Sequence, residues 1–262
     1  MFEWIFEVPL LITGPAIILL LCLFAVGGLL VVRRRLLPLL HTKPEDSELC
    51  GSIVHAVMVL YGLAVALIMV SVWEAYSDVS KTISGEASSL AGLYRDVSSY
   101  PEPIRHDLQT ELRDYVDQVI HEAWPLQRRG QIPSRGVVHM DRFQAVLEKF
   151  EPVSEGQKLL HGETLRAYND MTQARRLRLD AVNTGLPAIL WAVIVAGAFI
   201  ALTTFFFFKV EDVRMHGILV TLLSIFMGLV IFMIFALDRP FRGDLGLTPE
   251  PYQLIYDQLM KR

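Results

Sequence analysis

The sequence is short of cysteine and short of charge, and it lacks the residue patterns that enzymes of known type carry. Its two cysteines, Cys22 and Cys50, fall within or at the start of apolar runs, so no disulfide framework is readable. There is no His-Glu-x-x-His, no Gly-x-Ser-x-Gly, no phosphate loop and no Cys-x-x-Cys. The "HGE" at 161–163 has the outline of a deaminase His-x-Glu but not its Pro-Cys-x-x-Cys partner, which reads His161 as a surface helix residue. No pair of mid-span aspartates is present for intramembrane proteolysis. The expectation is a protein that is not an enzyme, with no metal and no cofactor. No basic run with interleaved aromatics occurs, so nucleic acid is not an expected partner. The leader "MFEWIFEVP" has no Lys or Arg, and no small-x-small site follows the apolar run after it. That run is expected to stay in the protein rather than be cleaved.

What the chain has instead is apolar length. Of its 262 residues 53% are hydrophobic and 20% charged, and the mean hydropathy is +0.41. A soluble domain of this size has too little polar surface to cover so much apolar side chain. The apolar residues are also gathered into runs at 8–32, 49–73, 186–208 and 217–237, uncharged apart from His55. At the helical rise each run is about 30 Å or longer, enough to cross a bilayer core. Hydrocarbon offers an open segment's backbone no partner but itself, so each run should be a helix. The fold class expected is an all-α integral membrane protein: four transmembrane helices in two hairpins, with a helical extramembrane stalk domain between spans 2 and 3. Its parts are a hairpin at 1–73, the helical domain at 74–185, a second hairpin at 186–237 and a polar tail at 238–262.

The polar block reads as helical throughout. Ala75, Val79, Ile83, Leu90, Leu93 and Val97 keep a three-to-four spacing, which carries span 2 on as one long helix. A second helix starts near Pro101 and Pro103, places Ile104, Leu108, Leu112, Tyr115 and Val119 on one face, and is expected to end at Trp124-Pro125. "QRRGQIPSRG" is a loop. A shorter helix follows with Met140, Phe143, Val146, Leu147 and Phe150. Ser154 and Gln157 have capping-box spacing and open a last helix, expected to run through "RRLRLDAVNTG" into span 3. One narrow apolar stripe per helix buries a modest core, so this block should lean on the hairpins or on other subunits.

Orientation rests on a near tie in basic residues. Arg33, Arg34, Arg35, Lys43, Lys209 and Arg214 lie on one side, and Lys81, Arg166, Arg175, Arg176, Arg178, Arg239 and Arg242 on the other. The acidic leader set against three arginines tips the N-terminus outward and the helical block to the extracytoplasmic side.

No span carries an acidic or basic residue at mid-bilayer, which disfavours proton-coupled transport more than a passive pore. Span 2 is the most polar. Its pore-lining candidates are Ser52, His55, Gly62, Ala66, Met69 and Trp73, most of them sharing one face; the plainer reading is small-residue packing on another helix. Ala188, Ala192 and Ala196 mark a packing seam on span 3, and Trp191 and "FFFF" (205–208) read as lipid-facing or interfacial aromatics. Pore-mouth or clamp candidates are Glu74, Glu86, Arg95, Arg175, Arg176 and Arg178. Asp238 and Arg239 join them where span 4 ends. Asp238 at a helix C-terminus opposes the helix dipole, so it calls for a compensating partner, expected to be Arg239 or one of the 175–178 arginines.

Taken together, "EASSLAGLYRDV", a Trp-Pro helix end, "RRLRLD" leading into "LPAILWAVIVAGA", and "LDRPFRGDLGLTPEPY" resemble the bestrophin-like family of bacterial membrane proteins over nearly the whole chain. The resemblance implies a four-span subunit of an oligomeric ion channel with a central pore lined by the second spans. It also implies a cytoplasmic helical block, against the charge tally. The acidic calcium clasp of true bestrophins has no counterpart in this sequence, and span 2 is less aromatic than their pore neck. The expected function is passive conduction through a homo-oligomer in a bacterial inner membrane, with the lipid bilayer, inorganic ions and copies of itself as partners. The alternatives are a non-conducting envelope scaffold or sensor whose helical domain binds a partner protein, and a small-solute transporter.

Overall fold

The computed structural model describes residues 8–39, 44–133, 135–208, 210 and 212–261, with the backbone alone for 44–50. Lys43 and Lys209 of the charge tally, and the Cys50 side chain, lie outside what is described. No strand occurs among the described residues. The chain divides into two compact units. One comprises Met1–Glu74 with Gly185–Asp238, the other Ala75–Thr184 with Arg239–Arg262.

Among the described residues, four helices are long and apolar enough to cross a membrane, and their apolar lengths lie in the first unit. Helix α1 (Leu10–Val31) ends in a π turn, Val32–Leu36. Helix α2 (Pro44–Val97) belongs to this unit as far as Glu74. Helices α7 (Ala188–Phe205) and α8 (Val213–Leu237) complete it. Helix α1 packs chiefly along α8, and Phe24 meets the edge of Phe199 on α7 at 4.6 Å. Helix α2 is held to α7 by Tyr61. Its ring lies so near Gly197 that a Cβ there would come within 2.6 Å, and its hydroxyl donates to the Ile194 carbonyl at 3.1 Å. In lipid, such small-residue notches replace the hydrophobic drive that joins helices in water.

Within the chain that contact, and not the alanine seam read from sequence, sets the inward face of α7. With Gly197 against Tyr61, α7 turns Ile194, Ala198, Ala201 and Leu202 inward, while Ala188, Ala192 and Ala196 are exposed. Nor are all four phenylalanines lipid-facing, because Phe206 is buried.

The second unit is a helical block with an aqueous-type core. The continuation of α2 buries Val79, Ile83, Leu90, Leu93 and Val97 at the expected spacing, though Ala75 is exposed. Against it lie α3 (Ile104–Gln118), α5 (Gly136–Glu148) and α6 (Glu155–Ala181). Leu108, Leu112, Tyr115, Met140, Phe143 and Leu147 join the same core. Ser154 and Gln157 make the anticipated capping box at the start of α6.

Two ends differ from expectation. Helix α3 does not stop at Trp124-Pro125: a π turn (Val119–Ala123) leads into α4 (Trp124–Arg128). Pro125 lies just past this π turn, whose widened bonding (Trp124 N–H to the Val119 carbonyl) accommodates a residue that cannot donate. Helix α6 does not run into span 3. It ends at Ala181 and α7 begins at Ala188, because Pro187 cannot donate in a helix and drives Leu186 off helical backbone angles. The C-terminal residues, with α9 (Glu250–Ile255), pack on this unit. Trp124 Nε1 donates to the Leu247 carbonyl at 3.1 Å, and Arg113 Nε to that of Met260 at 2.9 Å.

Candidate functional site

Two heptad-spaced stripes run along the membrane half of α2. Val54, Val65 and Val72 are buried within the unit, with Tyr61 half-buried between them. One residue further on, and so turned by about 100° around the helix, lie His55, Gly62, Ala66 and Trp73, all exposed. Ser52 is exposed too, and Met69 is half-buried. A Cβ added to Gly62 would meet nothing within 4 Å. Five of the six pore-lining candidates are thus exposed on the chain's surface. Only 11% of the most apolar window of this helix is buried in the chain, against 22% for α1 and α7 and 33% for α8.

The pore-mouth and clamp candidates divide sharply. Glu86 and Arg178 come together at the centre of the second unit, 0% and 1% exposed. Arg178 Nε donates to Glu86 Oε2 at 2.7 Å and Nη2 to Oε1 at 3.1 Å, a bidentate pair. The Tyr115 hydroxyl donates to Oε1 at 2.7 Å, and the guanidinium carbon lies 5.7 Å from the centre of the Tyr252 ring. Burial, reinforced by the Glu86 charge, pushes the Tyr115 and Tyr252 phenols well above the ordinary tyrosine value. Burial works against the Arg178 cation, yet Tyr252, Glu86 and Tyr115 outweigh it and hold the guanidinium protonated well above the usual arginine range. The sequence pointed to Glu86 and Arg178 but not to their tyrosines. The signal for Tyr115 was its place on the Leu108–Leu112 stripe. Tyr252, in the tail, gave none.

Glu74, Arg95 and Arg176 are exposed and Arg175 half-buried, and none of them joins this pair. Arg176 reaches Asp180 only at 4.0 Å. Asp238 is 5% exposed and accepts from the Leu186 N–H and from Trp191 Nε1, the latter at 3.2 Å. A backbone donor just ahead of α7 and an indole are thus among its partners. Arg239 donates to the Asn183 and Thr184 carbonyls, at 2.9 and 3.4 Å, beyond the end of α6. Among the described residues no group of three His, Cys, Asp or Glu side chains is placed to hold a metal ion.

The sequence matches the bestrophin-like domain over residues 19–252. Comparison with curated proteins finds no match. Among solved structures the chain resembles crystal structures of point variants of a bacterial bestrophin homologue from Klebsiella pneumoniae. One superposes with a TM-score of 0.71 at 10% identity, covering 95% of this chain and 98% of that one. Another gives 0.68 at 11% identity, covering 94% and 97%. At such identity the likeness establishes the fold.

Proposed function

The chain belongs to the bestrophin-like family, and from that premise we propose that it is one subunit of a homo-oligomeric ion channel of a bacterial inner membrane. Ions pass down their gradient through a central pore lined by the second span of each copy. The observation that carries this reading is the exposed stripe of α2, with Ser52, His55, Gly62, Ala66 and Trp73 open on the span least buried in its own chain. Hydrocarbon gives the His55 imidazole no return for being turned outward, whereas a hydrated axis does. The lack of any mid-span acid or base fits passive conduction, in which small and mildly polar rings let ions through. The buried Glu86–Arg178 pair then acts as a clamp in the helical unit, and Asp238 as one between the end of α8 and the start of α7. Glu74, Arg95, Arg175 and Arg176 remain candidates for a charged mouth.

The test is electrical. The purified protein in planar bilayers should give unitary currents. Gly62→Cys should make those currents sensitive to a water-soluble thiol reagent, while Leu63→Cys, one residue further round the helix, should not. A strictly monomeric and silent preparation overturns the proposal and favours the scaffold reading.

A further inference from the structure

Helices α1 and α7 touch in the first unit where Phe24 meets Phe199. Between that contact and the starts of both helices lies a slot of about 520 Å³, within the size range of small-molecule sites. Ile12, Leu20 and Val195 stand exposed at its rim, and Leu21, Ala198 and Ile231 are buried at its floor. Along α1 the slot runs from Ile12 to Leu21, about 14 Å at the helical rise. Two lining side chains carry a polar atom, and both turn it elsewhere. Thr13 Oγ1 donates to the Leu10 carbonyl of its own helix at 3.4 Å, and Trp191 Nε1 to Asp238 at 3.2 Å. A polar ligand would therefore leave its water and find no hydrogen bond in return.

We infer that this slot holds one acyl chain of a membrane phospholipid, kept by the subunit while the surrounding lipid exchanges. Its helices are spans of a membrane protein, so its mouth opens on hydrocarbon. A chain lying along the helices fills the slot by dispersion contacts alone, which unfilled walls forfeit. Two other occupants fit less well. A neighbouring span needs a seam that continues along the bilayer with small residues at its edges. This slot stops against Phe24 and Phe199, and its rim is built of branched side chains. The residues ahead of Val8 in sequence include Glu3 and Glu7, two carboxylates that such walls cannot pair.

The test is native mass spectrometry of the full chain in detergent, given phosphatidylglycerol or phosphatidylcholine of the same acyl chains. One phospholipid should remain per subunit, and the two kinds should be retained alike, because the chain and not the headgroup is held. Palmitate should displace it, whereas glycerophosphocholine, a headgroup without chains, should not. Ala16→Phe with Val195→Phe, which fills the slot from exposed positions, should lose the phospholipid. Ala192→Phe, exposed on α7 outside the slot, should keep it. Deleting residues 2–7 should leave retention unchanged. A preparation that retains no phospholipid, a preference set by headgroup, displacement by glycerophosphocholine, or a filled variant that still holds its lipid overturns the assignment. Retention that appears only after the deletion gives the slot to the leader, and retention that appears only on separating the subunits gives it to a neighbouring copy; either overturns it too. Because the readout is mass rather than current, failure here leaves the channel proposal standing, and a silent channel leaves this site standing.

Discussion

Helix α2 is one rod in two solvents. In its membrane half Ile53, Val59, Leu60, Leu63, Leu67 and Val70 are more than half exposed. In the half that follows, the apolar residues turn inward and even Glu86 is fully buried. The two halves are both helical but differ in composition, the first uncharged over 49–73 apart from His55 and the second carrying Glu74, Asp78, Lys81, Glu86, Arg95 and Asp96. In the first, lipid satisfies apolar side chains at no cost, so helix association depends on fit, as at Tyr61 and Gly197. In the second, water drives a core together, and a buried ion pair survives there because it is bidentate and shared with Tyr115. The lesson is that exposure means opposite things in the two units: ordinary in the membrane one, informative only where it is polar, as at His55.

The strongest way to break this comparison is at the buried pair. Arg178→Met should destabilise the helical unit by about 3–5 kcal/mol, since it strands the Glu86 carboxylate. Adding Glu86→Leu should restore most of the loss. A thermal scan in detergent checks both, and an unchanged midpoint for the single variant would mean that the pair is not buried in the working protein. Next in size is the fit between spans. Gly197→Val should cost about 1–3 kcal/mol by driving a side chain into Tyr61. Gly62→Ala, with nothing within 4 Å in the chain, should leave the fold of the subunit unchanged. If it changes anything, the readout will be assembly or current. Asp238→Asn should cost about 1–2 kcal/mol, because a neutral amide accepts less well from Leu186 N–H and Trp191; Trp191 emission reports it.

The smallest effect is in alkali. Tyr115 and Tyr252 have folded values raised above the ordinary 10.0. Their contribution to stability is therefore whole below pH 10 and is lost as pH rises beyond it, when the unfolded chain ionises and the folded one does not. Titrating the melting temperature between pH 9 and 11 should show a fall that begins near pH 10, shallower in Tyr115→Phe.

Much of this was legible because it is one-dimensional. The uncharged runs announce the spans, the Val79–Val97 spacing announces a buried stripe, and Ser154 with Gln157 announces a helix start, each from residues close in sequence. The errors lie where a partner far along the chain decides. The alanines at 188, 192 and 196 had the right size for a seam, but Tyr61 selected the face holding Gly197. Asp238 called for a partner, and one of those it has is the backbone N–H of Leu186, a donor that no spacing announces. Glu86 and Arg178 stood among the charged candidates, but which of them would meet, at what depth and with which tyrosines, could not be read from spacing.

The sequence by itself determined that four segments prefer lipid, that the segment between the second and third is a set of amphipathic helices, and that the chain carries no mid-span charge. These follow from local composition and from the need of every buried backbone group for a partner. Only the tertiary structure decided which stripe of the second helix is used within the chain and which is left open, and which charges are buried rather than solvated. Those outcomes depend on side chains separated by 92 positions, as for Arg178 and Glu86, meeting at distances that pattern alone does not encode.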